Sequence, residues 1–261
     1  MITVAINAAK EAGKFLLSNV GKFRHLERKI GQETNLVTEI DKQSEALIVN
    51  AIRSRFPDHA ILGEEGGASA GTSDYKWIID PLDGTTNFTH GLPIFCVTIG
   101  IEHRGEIITG VIYDPNTGEL FTAEKGKGAF LNGTRISVSK NETLINSLLV
   151  TGFPYNVNEN PENVIQHFTN FLPVAQGVRR LGSAAIDLAY VACGRFDGYW
   201  EVFLHPWDKA AGILLVKEAG GTVTNFSNDP NDIIYQPNTL ASNGIIHDRM
   251  LNVIHKTLRS T

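Results

Sequence analysis

The chain has 261 residues, 42% of them hydrophobic and 20% charged, the balance of a globular protein with room for one large domain or two packed halves. Its formal charge of −5, with no block of lysine or arginine, argues against a surface built to hold nucleic acid or an anionic membrane. No stretch approaches the roughly 18 apolar residues of a membrane span, and Lys10, Glu11 and Lys14 interrupt the only apolar run near the start, so the expected location is the cytoplasm. Cys96 and Cys193 sit in apolar company and read as small buried hydrophobes rather than a disulfide or thiolate site; no CxxC exists to hold a metal by sulfur.

In chain order, residues 2–19 repeat apolar side chains at helical spacing (Val4, Ala5, Ala8, Ala12, Phe15, Leu16) and predict an amphipathic helix. A strand is expected over 26–31 and a polar loop over 32–38. A second helix is expected over 41–56, with Ala46, Leu47, Val49, Ile52 and Phe56 inward and Pro57-Asp58 ending it. Short strands follow at 60–63 and 76–79, the second running into Asp80-Pro81. Segments 95–102, 106–113, 120–124 and 129–131, separated by turn residues such as Arg104-Gly105 and Asn116-Thr117-Gly118, predict an antiparallel meander.

The second half alternates: strands at 148–151, 196–200, 222–224 and 239–241, helices at 162–171, 183–192, 208–218 and 248–258. Gly220-Gly221 supplies the stop for the third of these helices. Two helices, a meander and then mixed elements imply an α/β (α+β) layered sandwich with more than one sheet, and a soft division into halves 1–140 and 141–261 within one compact unit.

Three places gather carboxylates beside glycine or at an element's end: Gly63-Glu64-Glu65-Gly66, Asp80-Pro81-Leu82-Asp83-Gly84-Thr85-Thr86-Asn87, and Trp207-Asp208. Taken singly they read as a solvated turn, a structural Asp-Pro/Asp-Gly turn, and a helix N-cap or first-turn acid. Taken together they suggest a cation site. Asp80 emerges from a core strand, Pro81 keeps the chain extended, and two acids three residues apart are costly to desolvate without a counter-charge. An oxygen-only donor set favours Mg²⁺, Mn²⁺ or Ca²⁺ over Zn²⁺, and the EF-hand spacing is absent. Gly84 and the Thr85-Thr86 amides and hydroxyls stand where an anion can bind.

The run Trp77-Ile78-Ile79-Asp80-Pro81-Leu82-Asp83-Gly84-Thr85-Thr86-Asn87-Phe88 resembles the signature of the inositol monophosphatase family. Gly63-Glu64-Glu65 is similar to that family's upstream acidic motif. Trp207-Asp208-Lys209-Ala210-Ala211-Gly212, continuing to Glu218-Ala219-Gly220-Gly221, resembles its C-terminal signature. The resemblance spans essentially the whole chain. It implies the layered αβαβα sandwich shared with fructose-1,6-bisphosphatase, a homodimer, two or three Mg²⁺ per site (Mn²⁺ substituting), inhibition by lithium, and hydrolysis of a small phosphorylated polyol or sugar by a metal-activated water. It also implies roles. Glu64, Asp80, Asp83, Asp208 and the Leu82 carbonyl match metal ligands. Gly84 and Thr85 match the phosphate-contacting backbone. Glu64 and Thr85 match the groups that orient the water, and Asp41 matches an acid paired with that threonine. Gly182, Ser183, Ala184 and Glu201 match substrate contacts.

Arg179 and Arg180 read either as a clamp on substrate, a second phosphate included, or as an ion pair across halves or subunits. His205 is not needed as a base where a metal activates water. Fructose 1,6-bisphosphate, 3′-phosphoadenosine 5′-phosphate and histidinol phosphate compete with myo-inositol 1-phosphate as substrate. The run after Gly84-Thr85 resembles the inositol branch more than the nucleotide branch, where a Lys-Glu pair is typical. From another class, a regulatory binding protein on the same fold competes; it need not retain Glu64, Asp80, Asp83, Thr85 and Asp208, and all five are present.

Overall fold

The computed structural model describes residues 1–20 and 39–258, so the strand expected over 26–31 and the loop over 32–38 lie outside the described residues. Ile2–Asn19 forms α1, which buries Ala5, Ala8, Ala9, Ala12 and Leu16. Small residues at that spacing let it lie close on α2, Glu39–Arg53. The inward face of α2 departs in part from expectation: Ile52 is buried and Val49 and Phe56 pack on the core as expected. Ala46 and Leu47 are exposed, and the buried stripe is Ile40, Asp41, Ser44, Glu45, Ile48 and Ile52. The spacing of 41, 44, 45, 48 and 52 is one helical face, but its first half is polar because it serves hydrogen bonds rather than a hydrophobic core.

The first sheet is built from β1 (Ala60–Gly63), β2 (Gly67–Ser69), β3 (Tyr75–Asp83), β4 (Cys96–His103), β5 (Glu106–Asp114), β6 (Glu119–Glu124), β7 (Gly128–Leu131) and β8 (Thr134–Arg135). The order is β2-β1-β3-β4-β5-β6-β7-β8. From β3 onward it is the expected meander. The β1–β3 pair is parallel, with Gly63 beside Ile79, a crossover that the strand spacing did not announce. Strand β3 also continues through Asp83 instead of stopping at Ile79. Its pairing with β4 shifts between Asp80 and Asp83, where Pro81 has no N–H to give the ladder.

The second sheet contains β9 (Leu148–Thr151), β10 (Gly177–Arg179), β11 (Gly198–Val202), β12 (Thr222–Thr224) and β13 (Asn238–Ser242), in the order β10-β9-β11-β13-β12. Its helices are α4 (Val164–Phe171), α5 (Ala184–Ala192), α6 (Pro206–Glu218) and α7 (His247–Leu258), while α3 (Thr85–His90) belongs to the first half. Helix α4 starts later than expected because Glu162 and Asn163 take positive φ angles of 50° and 56°. Strand β11 starts at Gly198, not Phe196, which places Glu201 inside the strand opposite Thr239 instead of after it.

Three apolar clusters fill the spaces between five layers. One lies under α1 and α2 on the outer face of the first sheet, around Trp77, Ile79, Val97 and Ile99. The largest surrounds α5 and α6 between the sheets, and the third joins α4 and α7 to the outer face of the second sheet around Phe171, Trp200 and Leu240. The αβαβα sandwich expected from the sequence is therefore the observed fold. Helix α6 lies almost directly on the first sheet. A Cβ placed on Gly100 would come within 2.9 Å of Ala210 Cβ, and one on Gly110 within 2.8 Å of the Ala211 carbonyl. That close seat fixes the height of Asp208, two residues earlier on the same helix, above the end of β3.

Candidate active site

The parallel pairing of β1 and β3 makes both strands end at the same edge. Glu64 N donates to Ile79 O at 3.2 Å, so the first residue beyond β1 stands beside Asp80. The Glu64 and Asp80 carboxyls lie within hydrogen-bonding reach of each other. Asp83 follows along β3, and Gly84 turns the chain with a φ of 96° into α3. Helix α6 brings Asp208 from the other half; its Oδ2 accepts from His205 N at 2.6 Å, the geometry of a first-turn acid. Four carboxylates from three chain segments thus meet.

Their chemistry records the crowding. Burial first, then Glu64, Asp83 and Asp208, push Asp80 well above the carboxylate range. Burial and then Asp83 and Glu64 do the same to Asp208. Glu64 keeps an exposed flank, yet desolvation of its carboxyl, with Glu65, Asp83 and Glu45 nearby, pushes it up to about 7. Burial also raises Asp83, against the hydrogen bonds it accepts. Two like charges about 4 Å apart repel by about 4 kcal/mol at an effective dielectric of 20. Several such pairs rival the roughly 5–15 kcal/mol that separates a folded domain from its unfolded chain. Protonation or a counter-charge relieves such repulsion, and as a counter-charge a hard divalent cation fits an all-oxygen donor set. Among the described residues no three acidic, histidine or cysteine side chains already stand at ligand spacing. Protein donors hold individual oxygens instead: Asp83 Oδ2 accepts from Ser183 Oγ at 2.6 Å and from Ala185 N at 2.7 Å.

That last contact ties β3 to the first turn of α5 and so joins the two halves at the site. Ser183 caps α5 through its side chain, with Gly182 before it and Ala184 as the first helical residue. Thr85 Oγ1 donates to the Leu82 carbonyl at 3.1 Å, so two of the expected groups touch. Asp41 is buried in the first turn of α2. Glu201 is half-buried and accepts from Tyr199 Oη at 2.7 Å. Burial pushes Glu201 up to about 7, with Asp83 adding to the rise and Arg180 and Lys209 opposing it. Of the two arginines, Arg179 folds back to donate to the Val178 carbonyl at 3.3 Å. The Arg180 guanidinium is the one that lies over Gly182.

Several groups at the site escaped the sequence reading. Tyr155, on the loop after β9, is 58% exposed overall, yet partial desolvation of its hydroxyl and the charges of all four acids, Glu64 foremost, push the phenol up to about 12. No spacing signal marks it. Lys209 is fully buried beside Asp208, donating to the Gln236 carbonyl and Thr239 Oγ1; burial lowers it to about 8. Glu45 and Ser44 were legible in principle, at helical spacing from Asp41. Cys96 is free and buried, with Sγ 3.8 Å from Asp83 Oδ2; burial and then Asp83 push the thiol up and keep it protonated.

A family model described as the inositol monophosphatase family matches residues 1–259. An inositol-1-monophosphatase from Synechocystis is 45% identical over 257 residues, spanning 98% of this chain and 89% of that protein. A Nus factor SuhB from Pseudomonas aeruginosa is 44% identical over 232 residues, spanning 87% of this chain and 86% of that one. The structure of an inositol monophosphatase from Anabaena aligns with a TM-score of 0.88 at 44% identity, covering 99% of this chain and 97% of the other. Fold and relatives define the class: a phosphomonoesterase acting on a small phosphorylated substrate, of a kind that is generally metal-dependent. The chain belongs to the inositol monophosphatase family.

Proposed function

We propose that the chain hydrolyses myo-inositol 1-phosphate, or a closely similar polyol phosphate, to the free polyol and phosphate with Mg²⁺ held by Glu64, Asp80, Asp83, Asp208 and the Leu82 carbonyl. The observation that carries this reading is the meeting of four acids, from the ends of β1 and β3 and the start of α6, beside the Gly84–Thr85 turn. Bound there, the cations would lower the pKa of water and neutralise charge developing on the phosphoryl and leaving oxygens. Glu64 and the Thr85 hydroxyl orient the attacking water, and Glu64 takes its proton. The Gly84 and Thr85 amides hold the phosphate, and Asp41 supports Thr85. The Gly182–Ser183–Ala184 turn and Glu201 read the hydroxyls, and Arg179 and Arg180 offer a clamp on the substrate. The same reading carries Mn²⁺ as a substitute, inhibition by Li⁺, a homodimer, a cytoplasmic location and no nucleic-acid or membrane partner; among the described residues no helix is long and apolar enough to cross a membrane.

Substrate reading is tested at Glu201. Glu201→Gln is expected to lower kcat/KM for myo-inositol 1-phosphate about 10- to 100-fold, mostly through KM, the worth of a charged hydrogen bond of roughly 1.5–3 kcal/mol. Hydrolysis of p-nitrophenyl phosphate, which offers no ring hydroxyls, should change much less. Equal loss on both substrates would place Glu201 in the chemistry or the structure, and no loss on either would remove it from the polyol side.

Fructose 1,6-bisphosphate remains the runner-up, favoured by the position of Arg180 over the Gly182 turn, where a second anion could be held. A regulatory protein on this fold is the reading favoured by the relative named Nus factor SuhB. The retained acids support catalysis beside it.

A further inference from the structure

Helix α2 contributes no proposed ligand to the cation site, yet it touches two of the three segments that do. Glu45 is 6% exposed, and its two oxygens accept separate backbone amides of the β1–β2 turn: Oε2 from Glu65 N at 2.9 Å and Oε1 from Gly66 N at 2.7 Å. Glu64 is the residue before this pair. The turn is wrapped on the carboxylate without slack, since a Cβ on Gly63 would approach Oε2 to 2.5 Å and one on Gly66 would approach Oε1 to 2.6 Å. One residue earlier on the helix, the fully buried Ser44 donates from Oγ to the Pro81 carbonyl at 3.0 Å, between Asp80 and Asp83.

A buried carboxylate is an expensive way to brace a turn. Yet two acceptor oxygens on one side chain are what a carboxylate supplies, and the amide of a glutamine could not hold both backbone N–H groups in this way. Among the described residues no basic side chain bonds to Glu45, so both of its oxygens are given to the backbone of the turn. Its position is that of an outer partner that orients ligands without touching the ion.

We propose that Glu45 is a positioning residue for the cation site: its carboxylate holds the Glu64-bearing turn by two backbone amides, so that cation affinity depends on it more than folding does. The inference rests on the reading of Glu64 as a ligand. Glu45→Gln is the informative change, because an amide offers one acceptor oxygen and turns an N–H₂ group toward the second backbone N–H.

The experiment measures Mn²⁺ binding to the metal-stripped full chain by titration calorimetry, and thermal melting without metal, for the wild type, Glu45→Gln and Glu64→Gln. Glu45→Gln is expected to melt cooperatively near the wild-type midpoint and to bind Mn²⁺ about 10- to 100-fold more weakly. At saturating Mg²⁺ its kcat should return toward the wild-type value. A role confined to structure would instead lower the midpoint and kcat together and leave the dissociation constant alone. Wild-type affinity, within about twofold, in a folded Glu45→Gln protein whose Glu64→Gln counterpart has lost binding would overturn the positioning role while sparing the metal reading. No Mn²⁺ binding by the wild type would overturn both. Should the Gln variant fail to fold, Glu45→Asp, which keeps the charge but is one methylene too short for the two-point grip, carries the same comparison.

Discussion

Asp83→Asn is expected to lower kcat by at least ~10³-fold, about 4 kcal/mol of transition-state stabilisation, while the protein still folds. The size of the effect follows from what is removed: one full negative charge from a site proposed to hold several cations, with the side-chain shape unchanged. Survival of the fold follows from the contacts. Asp83 Oδ2 accepts from Ser183 Oγ and Ala185 N, and an Asn carbonyl oxygen can accept the same bonds. Loss of the charge also relieves repulsion on Asp80 and Asp208, both of which Asp83 pushes upward. The check is kcat at saturating Mg²⁺ together with a thermal melt. Retention of more than a tenth of the activity in a folded variant would remove Asp83 from the ligand set.

Stripping the metal has the larger expected effect. Activity should vanish with EDTA and return with Mg²⁺ or Mn²⁺, because the four acids otherwise oppose the negative charge of a phosphate. The melting midpoint should rise when the cation is restored, since an ion bound by the folded state alone stabilises it. Full phosphate release from a rigorously stripped sample would remove the cation from the mechanism and leave the acid cluster without its proposed use.

Much of this was legible before any coordinates. Glu64, Asp80, Asp83 and Asp208 stood out because acids beside glycine, proline or a helix start are the parts of the chain least served by a hydrophobic core. The meander was readable from alternation and turn residues. What could not be read depended on partners distant in sequence. The parallel pairing of β1 with β3 sets Glu64 beside Asp80, and no local pattern encodes it. Of the inward residues expected from the α2 segment, Val49, Ile52 and Phe56 do pack on the core, but Ala46 and Leu47 do not, because Asp41, Ser44 and Glu45, polar and buried, take that part of the face. Tyr155 reaches the acids from a loop with no periodicity. Positive φ angles at Asn163 and at Glu162, the latter a residue that seldom takes one, delayed the start of α4.

The measurement that tests the account most directly is phosphate release, with Mg²⁺ present, from a panel of myo-inositol 1-phosphate, fructose 1,6-bisphosphate, 3′-phosphoadenosine 5′-phosphate, histidinol phosphate and p-nitrophenyl phosphate. Metal-dependent release is expected, with the highest kcat/KM on myo-inositol 1-phosphate. A preference for fructose 1,6-bisphosphate would move the assignment to the runner-up and give Arg180 a second phosphate to hold. No release from any member of the panel, by a folded protein that binds Mg²⁺, would contradict the account.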